Sequence, residues 1–500
     1  MKDKLYYKVS RDAVHSEIFL YPLEIIFADT KAVQRLRYLS QLAGAESVYP
    51  GATHTRFIHS LGTMHLSGLY AKNIYPENHS KFRILRLSGL LHDLGHGPYS
   101  HQFDDVVYKN MGFDDGHDSF RKIILHNHLT DDCLNVLNSI KDYRTLDDFY
   151  KDISLTLEKK VDADNVKDSL NELMEKILEV YEGENTGSVD FNLIQGPLGA
   201  DRLDFVLRDS YYAGTRHFGT GAVDRLIRNS FVEGNKICYS IKVIDDIYSS
   251  LFARFMMYKN VYFHKTSRAA DLMIQEILKV AYEILNLSDM VNNYNEFLKL
   301  TDQKIINQIE FLYELVFENK FKDNSLSLNP EIFKNSEKIS YAYDLVKRLK
   351  RRDLWKLVLE RPFFTKGVDP TIVSRSVAQD SLEKIKINLK NEVKKDIPNE
   401  DKEELYYILD NFNYLFKIDT PYKLSLVHPD EFLANDVFIK DIDDEVITFE
   451  KVYQKYPAYK LIENNLIQIV RIYIKEDRRD ILRKYSLIPT QKKASINTRW

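Results

Sequence analysis

LLHDLGHGPYSH, residues 90–101, ends an apolar helix on two adjacent metal-type ligands, His92 and Asp93. The helix begins near residue 81 in KFRILRLSG, and Gly95 with Gly97-Pro98 stops it, so that the backbone turns away and both side chains face a cavity. An imidazole beside a carboxylate suits Mn, Fe, Co, Ni, Zn or Mg rather than a thiolate-loving metal. Two neighbouring ligands do not make a site, and the remainder come from elsewhere. His59 lies in TRFIHSLG on the helix before, and Asp201 in GADRLDFVLRD on a later one. Together they supply two imidazoles and two carboxylates, leaving coordination positions for water and a phosphate oxygen, as a catalytic divalent ion requires.

Outward from that string the pattern is mostly helical. Residues 30–43 carry apolar side chains at 33, 36, 39 and 42, a helical spacing opened by Thr30 and ended by Gly44. Residues 56–75, 115–129 and 196–213 read as further helices, and 141–180 as a charged, amphipathic, solvated insert. Residues 1–22 alternate like a strand or hairpin, and 231–243 alternate about a Gly-Asn turn as a β-hairpin. Residues 245–288 are helical, and 290–415 are helical and charged. From 416 onward YKLSLV, DVFIKDI, EVITF and IQIVRIYIK are short β-like runs. The expected class is mainly α: a helical core over 1–290 with an insert at 141–190, a helical accessory region over 291–415, a small α/β lobe over 416–487, and a flexible tail from 488.

Composition bounds the function. The 500 residues are 44% hydrophobic with a net charge of −4, enough for a large core and without the basic excess of a nucleic-acid binder. Cys133 and Cys238 are too few and too far apart for a disulfide framework or a CxxC metal site. With no apolar leader in MKDKLYYKVSRDAVHSE and no long apolar run, a cytoplasmic chain without a membrane span is expected.

The order His…His-Asp…Asp is the signature of the HD phosphohydrolase superfamily. QRLRYLSQL, VYPGATHTRFIHSLG, LLHDLGHGPYSH and DRLDFVLRDSYYAG resemble its deoxynucleoside triphosphate triphosphohydrolase branch, most closely the SAM-and-HD-domain enzymes and their bacterial relatives. The likeness runs through 8–124 and 196–270 and resumes weakly at 436–482. It implies hydrolysis of a dNTP to a deoxynucleoside and inorganic triphosphate at one divalent metal held by His59, His92, Asp93 and Asp201. It further implies His117 as general acid and Asp104 as its carboxylate partner. Arg56, His96, His101, Arg202, Arg254 and Lys265 become phosphate donors. Gln41 and Asp209 match residues that bind the 3′-hydroxyl, while Leu42 and Tyr262 match residues whose bulk excludes a 2′-hydroxyl. Asp29, Gln34 and Arg37, flanked by Lys8 and Val9, match a separate site for an activating nucleotide, GTP or a dNTP, in a homotetramer or other homo-oligomer.

This sequence departs from the pattern in places. Phe205 replaces a phosphate-binding Tyr, Arg202 a Lys, and Arg11 an Asn, and Tyr258, Lys259 and Asn260 replace a basic cluster. Two other readings stand beside this one. One is a different HD phosphohydrolase (nucleotidase, phosphodiesterase or nuclease), in which His96, His101 and His117 hold a second metal. The other is a non-catalytic nucleotide sensor.

Overall fold

In a computed structural model, the fold is described for residues 7–185, 187–219, 222–318, 334–365, 370–421, 437–455 and 466–489. YKLSLV, and the tail from 490, lie outside the described residues. The chain opens with an antiparallel hairpin, β1 (Lys8–Asp12) and β2 (Ser16–Leu20). Helices α1 (Pro22–Ala28) and α2 (Lys31–Arg35) follow, and then α3 (Arg56–Ile74) and α4 (His79–Leu91), which pack along each other as the spine of the core. Further on come α5 (Gly116–Asn127), α6 (Tyr143–Leu157), α7 (Val166–Glu182) and α8 (Ala200–Tyr212). Hairpin β3 (Ser230–Glu233) and β4 (Lys236–Ser240) leads into α9 (Ile244–Met257) and α10 (Lys265–Ile284).

The helix expected over 30–43 stops early. After one 3-10 turn at Leu36–Tyr38 the chain extends, because its backbone finds better partners across the fold. The Leu39 carbonyl accepts from the Arg56 amide at 3.1 Å, and the Gln41 amide donates to the His54 carbonyl at 3.0 Å. The Ser40 amide donates to Asp302 Oδ2 at 2.8 Å. Tertiary contact overrides helical spacing here, and the result is a loop that carries Gln41 and Leu42 to the site.

The stretch 141–180 is helical as expected, yet it is no solvated insert. Phe149 and Ile153 of α6 and Leu170, Leu173 and Ile177 of α7 are fully buried in the same core as Leu87 of α4. Buried Arg83 and Asp152 pair at 2.7 Å and tie α6 to α4. Only the outer faces of these helices are charged and exposed.

Two corrections concern the C-terminal part. The stretch 291–415 is not wholly helical: after α11 (Asp302–Phe317) and α12 (Ser336–Lys350) comes a strand, β5 (Lys356–Thr365). Then follow α13 (Pro370–Glu392) and α14 (Asn399–Asp410). The strands β6 (Phe416–Asp419), β7 (Phe438–Lys440), β8 (Val446–Thr448) and β9 (Leu466–Ile474) do not make a sheet of their own. β9 lies between β5 and β6, and β7 pairs in parallel with β4 of the core hairpin. A second hydrophobic core, with Leu389, Leu405 and Ile472, fills the space beneath β9. One sheet and one core thus cross the division expected at residue 415. Among the described residues no helix is long and apolar enough to cross a membrane, and both cysteines are free and buried.

Candidate active site

α3, α4 and α8 meet where His59, His92, Asp93 and Asp201 converge. His59 Nε2 lies 3.2 Å from His92 Nε2 and 3.0 Å from Asp201 Oδ1. His92 Nε2 lies 3.2 Å from Asp93 Oδ1 and 3.6 Å from Asp201 Oδ1. The other ring nitrogens explain the arrangement. His92 Nδ1 donates to the Gly89 carbonyl at 2.8 Å, and His59 Nδ1 donates to Asp204 Oδ2 at 2.8 Å. With both Nδ1 atoms engaged by acceptors, the two Nε2 atoms face each other and the Asp201 carboxylate, an arrangement that a cation between them would satisfy.

The charges agree with that reading. Burial favours neutral Asp93, but Arg56, His92 and His96 outweigh it and hold the carboxyl well below the usual carboxylate range. Asp201 is likewise lowered, burial being outweighed by its hydrogen bonds to His59 and His92. Burial disfavours a charged His59 as well, yet Asp201 and Asp204 lift its ring to about 10. The pocket is short of positive charge, and the deprotonated carboxylates are ready ligands. This donor set fits a divalent metal; all four residues could hold it, and oxygen–nitrogen donors leave its identity open.

A second cluster adjoins the first through His96. Its Nε2 is 3.3 Å from Asp93 Oδ1 and its Nδ1 is 3.6 Å from Asp104 Oδ2. His117 Nδ1 sits 3.1 Å and His101 Nδ1 3.2 Å from the same Asp104 oxygen. The His96 and His117 rings stack with centroids 4.0 Å apart. Burial, then Arg56 and His117, push His96 well below its ordinary value. For His117 burial works downward, and the Asp104 charge overrides it and raises the ring. The two stacked rings are thereby shifted in opposite directions, His96 toward its neutral form and His117 toward its charged form. His101 is exposed at 70%.

Glycines permit these approaches. A Cβ on Gly95 would lie 1.8 Å from the His117 carbonyl, and one on Gly97 2.2 Å from the Phe103 ring. Gly95 therefore serves close packing of α5 against the HDLG segment rather than a left-handed helix stop. Tyr99 and Ser100 do adopt left-handed φ of 60° and 56°, a strained pair. Their neighbours hold them: Tyr99 N–H donates to Asp302 Oδ1 at 2.7 Å, and Ser100 Oγ sits between Arg56 Nε and the Ser40 carbonyl.

The third group is a pocket wall. Tyr262 O–H donates to Asp209 Oδ2 at 2.6 Å, and Asp209 Oδ1 meets His54 Nε2 at 2.7 Å. Leu42 and Phe205 pack into the same small apolar cluster as Tyr262. Arg254 lies over the Tyr258 ring at 5.6 Å, and its charge reaches Tyr262. Gln41 Oε1 is buried without a hydrogen-bond partner. Asp104 and Tyr262 both lie on π-helical turns, Asp104–Tyr108 and Tyr258–Tyr262, a geometry frequent at functional sites.

The remaining expected residues are more dispersed. Arg56 is buried and already paired with Asp93 at 2.7 Å. Arg202 Nη1 donates to the Gln195 carbonyl at 2.5 Å. Lys265 stands exposed at the start of α10. Gln34 accepts from Arg37 Nε at 2.7 Å while Arg37 covers the Phe57 ring, and Lys8, Val9 and Asp29 are exposed on β1 and at the end of α1. Lys259 is exposed, and the Asn260 carbonyl accepts from Tyr49 O–H at 2.5 Å.

Three residues with strong roles carry no sequence signal of their own: Asp302, His54 and Asp204. Asp302 is half-buried and receives the amides of both Ser40 and Tyr99. It thereby fixes the two loops that carry Gln41 and His101. His54 stands inside a quoted motif, but only the fold turns it onto Asp209.

The HD domain family model matches residues 56–157 and the HD associated region model matches 222–314. The first span holds His59, His92, Asp93, His96, Asp104 and His117; the second holds Tyr262 and Asp302. The deoxynucleoside triphosphate triphosphohydrolase SAMHD1 homolog of Dictyostelium discoideum is 30% identical over 71% of this chain and 60% of its own length. An uncharacterized protein of Methanocaldococcus jannaschii is 30% identical over 65% of this chain and 61% of its own. The chain thus spans about three fifths of the length of these curated relatives. Among solved structures, a phosphohydrolase from Bacteroides thetaiotaomicron superposes with a TM-score of 0.61 at 19% identity, over 94% of this chain and all of that one. A hypothetical protein from Aquifex aeolicus gives 0.58 at 21% identity, over 96% and 99%, a likeness of fold. The chain belongs to the HD-domain family that includes these triphosphohydrolases.

Proposed function

We propose that the chain hydrolyses deoxynucleoside triphosphates to deoxynucleoside and inorganic triphosphate at the centre formed by His59, His92, Asp93 and Asp201. The observation that carries this reading is the joint at His96, where a metal-type centre touches an imidazole–carboxylate cluster whose two stacked rings are shifted in opposite directions. When bound, the divalent metal supplies Lewis acidity and a water that ionises near neutral pH. His117, kept protonated by Asp104, gives its proton to the leaving 5′-oxygen. Neutral His96 and the buried Arg56 guanidinium offer fixed donors to the phosphates in a site shielded from water. His101, Arg202, Arg254 and Lys265 extend the positive lining along the triphosphate.

Asp209 accepts from the sugar 3′-hydroxyl together with Gln41. Tyr262, held against Asp209, and Leu42 form a wall that clashes with a 2′-hydroxyl. With Phe205 in place of a hydroxyl-bearing ring, that side of the pocket gives the phosphates no donor. Asp29, Gln34 and Arg37 with Lys8 and Val9 receive an activating nucleotide, GTP or a dNTP, in a cytoplasmic homo-oligomer.

The test is incubation of the full chain with each dNTP and NTP plus Mn, Mg or Fe, with and without nucleotide mixtures, followed by chromatography. Triphosphate release from dNTPs and not NTPs is expected; release of orthophosphate or pyrophosphate alone overturns the reading. Rates that stay hyperbolic and unmoved by GTP overturn the activation step. One observation favours a second reading: His96, His101, Asp104 and His117 place four ligand atoms within 4.8 Å of one another, a set able to hold a second ion. That is the geometry of a two-metal nucleotidase or phosphodiesterase. A metal content of two per chain, with orthophosphate, pyrophosphate or diester cleavage, would select it.

A further inference from the structure

We infer that the N-terminal hairpin is part of the metal centre, and that His15 in its turn is a positioning residue for the ligand His59. The inference rests on the metal-dependent reading above. Asp204 is fully buried, lies one helical turn from Asp201, and accepts from His59. Its two oxygens take four bonds. Oδ2 accepts from His59 Nδ1 and Arg208 Nε, both at 2.8 Å. Oδ1 accepts from Arg208 Nη2 at 3.0 Å and from His15 Nε2 at 2.6 Å, the shortest of the set.

The hairpin is built to deliver His15. Asp12 Oδ1 accepts the amides of Val14 and His15, each at 2.9 Å, which folds the turn. Asp12 Oδ2 accepts from Arg208 Nη1 at 2.7 Å, which docks the turn on α8. Gly62 clears the path, since a Cβ there would lie 1.9 Å from Asp204 Oδ1. The carboxylate that fixes the ring and tautomer of His59 is therefore held by two anchors, one on its own helix and one from the hairpin turn. Removing the hairpin anchor takes the shorter of the two bonds from Asp204 Oδ1 and leaves Arg208 alone to hold the carboxylate against His59. Outer partners of this kind set metal affinity by orienting the ligand and raising its basicity.

The probe is Mn²⁺, titrated calorimetrically into the chelator-stripped full chain, with metal-free melting followed in parallel. His15→Phe keeps a ring of similar volume without a donor; His15→Gln keeps a donor amide. His15→Phe is expected to weaken Mn²⁺ binding by about tenfold or more, in the range of lost outer partners, and His15→Gln to recover part of the loss. A merely structural His15 would lower the melting temperature and leave the affinity of the folded chain alone. Equal Mn²⁺ affinities in wild type and His15→Phe overturn this inference while leaving the proposed function standing. A wild-type chain that binds no divalent metal overturns both.

Discussion

The two imidazole–carboxylate clusters of the site use the same residue types to opposite ends. In the cluster of His59, His92, Asp93 and Asp201, each imidazole has its Nδ1 occupied by a firm acceptor, so both Nε2 atoms are committed to one point. In the cluster of His96, His101, Asp104 and His117, three Nδ1 atoms crowd a single carboxylate oxygen. His96 Nδ1, His117 Nδ1 and Asp104 Oδ1 are buried there with no hydrogen-bond partner. The first arrangement suits a bound cation. The second shifts two stacked rings in opposite directions, and such pairs mark acid–base work. What separates a ligand from a proton carrier is thus the bond made by the ring's other nitrogen.

The sharpest way to break the contrast is at the ligands. His92→Ala with Asp93→Ala should reduce bound divalent metal to background by elemental analysis. It should lower kcat by at least the ~10²–10³-fold that one lost electrostatic stabiliser costs. Full activity in that double variant would end the metal reading. Next, His117→Gln should lower kcat by about 10²–10⁴-fold, the span of a lost general acid, with metal content unchanged. If metal is lost too, the two clusters are one binding site.

The pH profile sharpens the same point. His117 is raised above 6.5, so its acid form persists above pH 6.5 and is lost as pH rises through its folded value. Its contribution to stability follows the same course, present below pH 6.5 and lost on the alkaline side. Asp104→Asn removes the charge that raises the ring. The alkaline limb of kcat should then move to lower pH; an unmoved limb would show that another group donates the proton. The smallest effect is expected from Asp302→Ala. It strands the amides of Ser40 and Tyr99, at about 1–3 kcal/mol for each buried group left unsatisfied. A lower melting temperature and a weaker KM should result, with Mn²⁺ affinity intact, because the loops it holds carry Gln41 and His101 and no metal ligand.

The sequence discloses these regions unequally. His59, His92 and Asp93 sit in contiguous strings at helix ends, where apolar periodicity and Gly stops place them without tertiary knowledge. Asp104 and His117 are visible only through family likeness, since a lone His near an Asp is ordinary on a surface. Asp302 reads as an acidic first helical residue after the Thr301 cap, and its side chain turns instead to two distant amides. His15 carries no periodic or motif signal, and the string around His54 does not show what that ring meets, because their meaning is a partner 189 or 155 residues away. β5 falls inside the stretch 290–415, which reads as helical and charged, and its LWKLVLE mixes apolar and charged residues without strict alternation. Pairing with β9 decides it, and no local signal reports a partner so far along the chain.

The span of the Asp12–Arg208 contact has a consequence for biosynthesis. The brace of His59 joins residues 196 apart, and Asp201 joins His59 across 142. A growing chain that has released α3 and α4 carries His59, His92 and Asp93 with neither the fourth ligand nor the buried acceptor. Until α8 emerges and docks, those imidazoles have only the mutually repelling or solvent-facing partners of an open helix pair. Ion capture is then a late event that reports arrival of α8, and a metal acquired at that moment links the earliest-made segment to one made much later. A ribosome-stalled chain ending before Asp201 should therefore bind divalent ions weakly, and one extended past Arg208 should bind as the finished protein does.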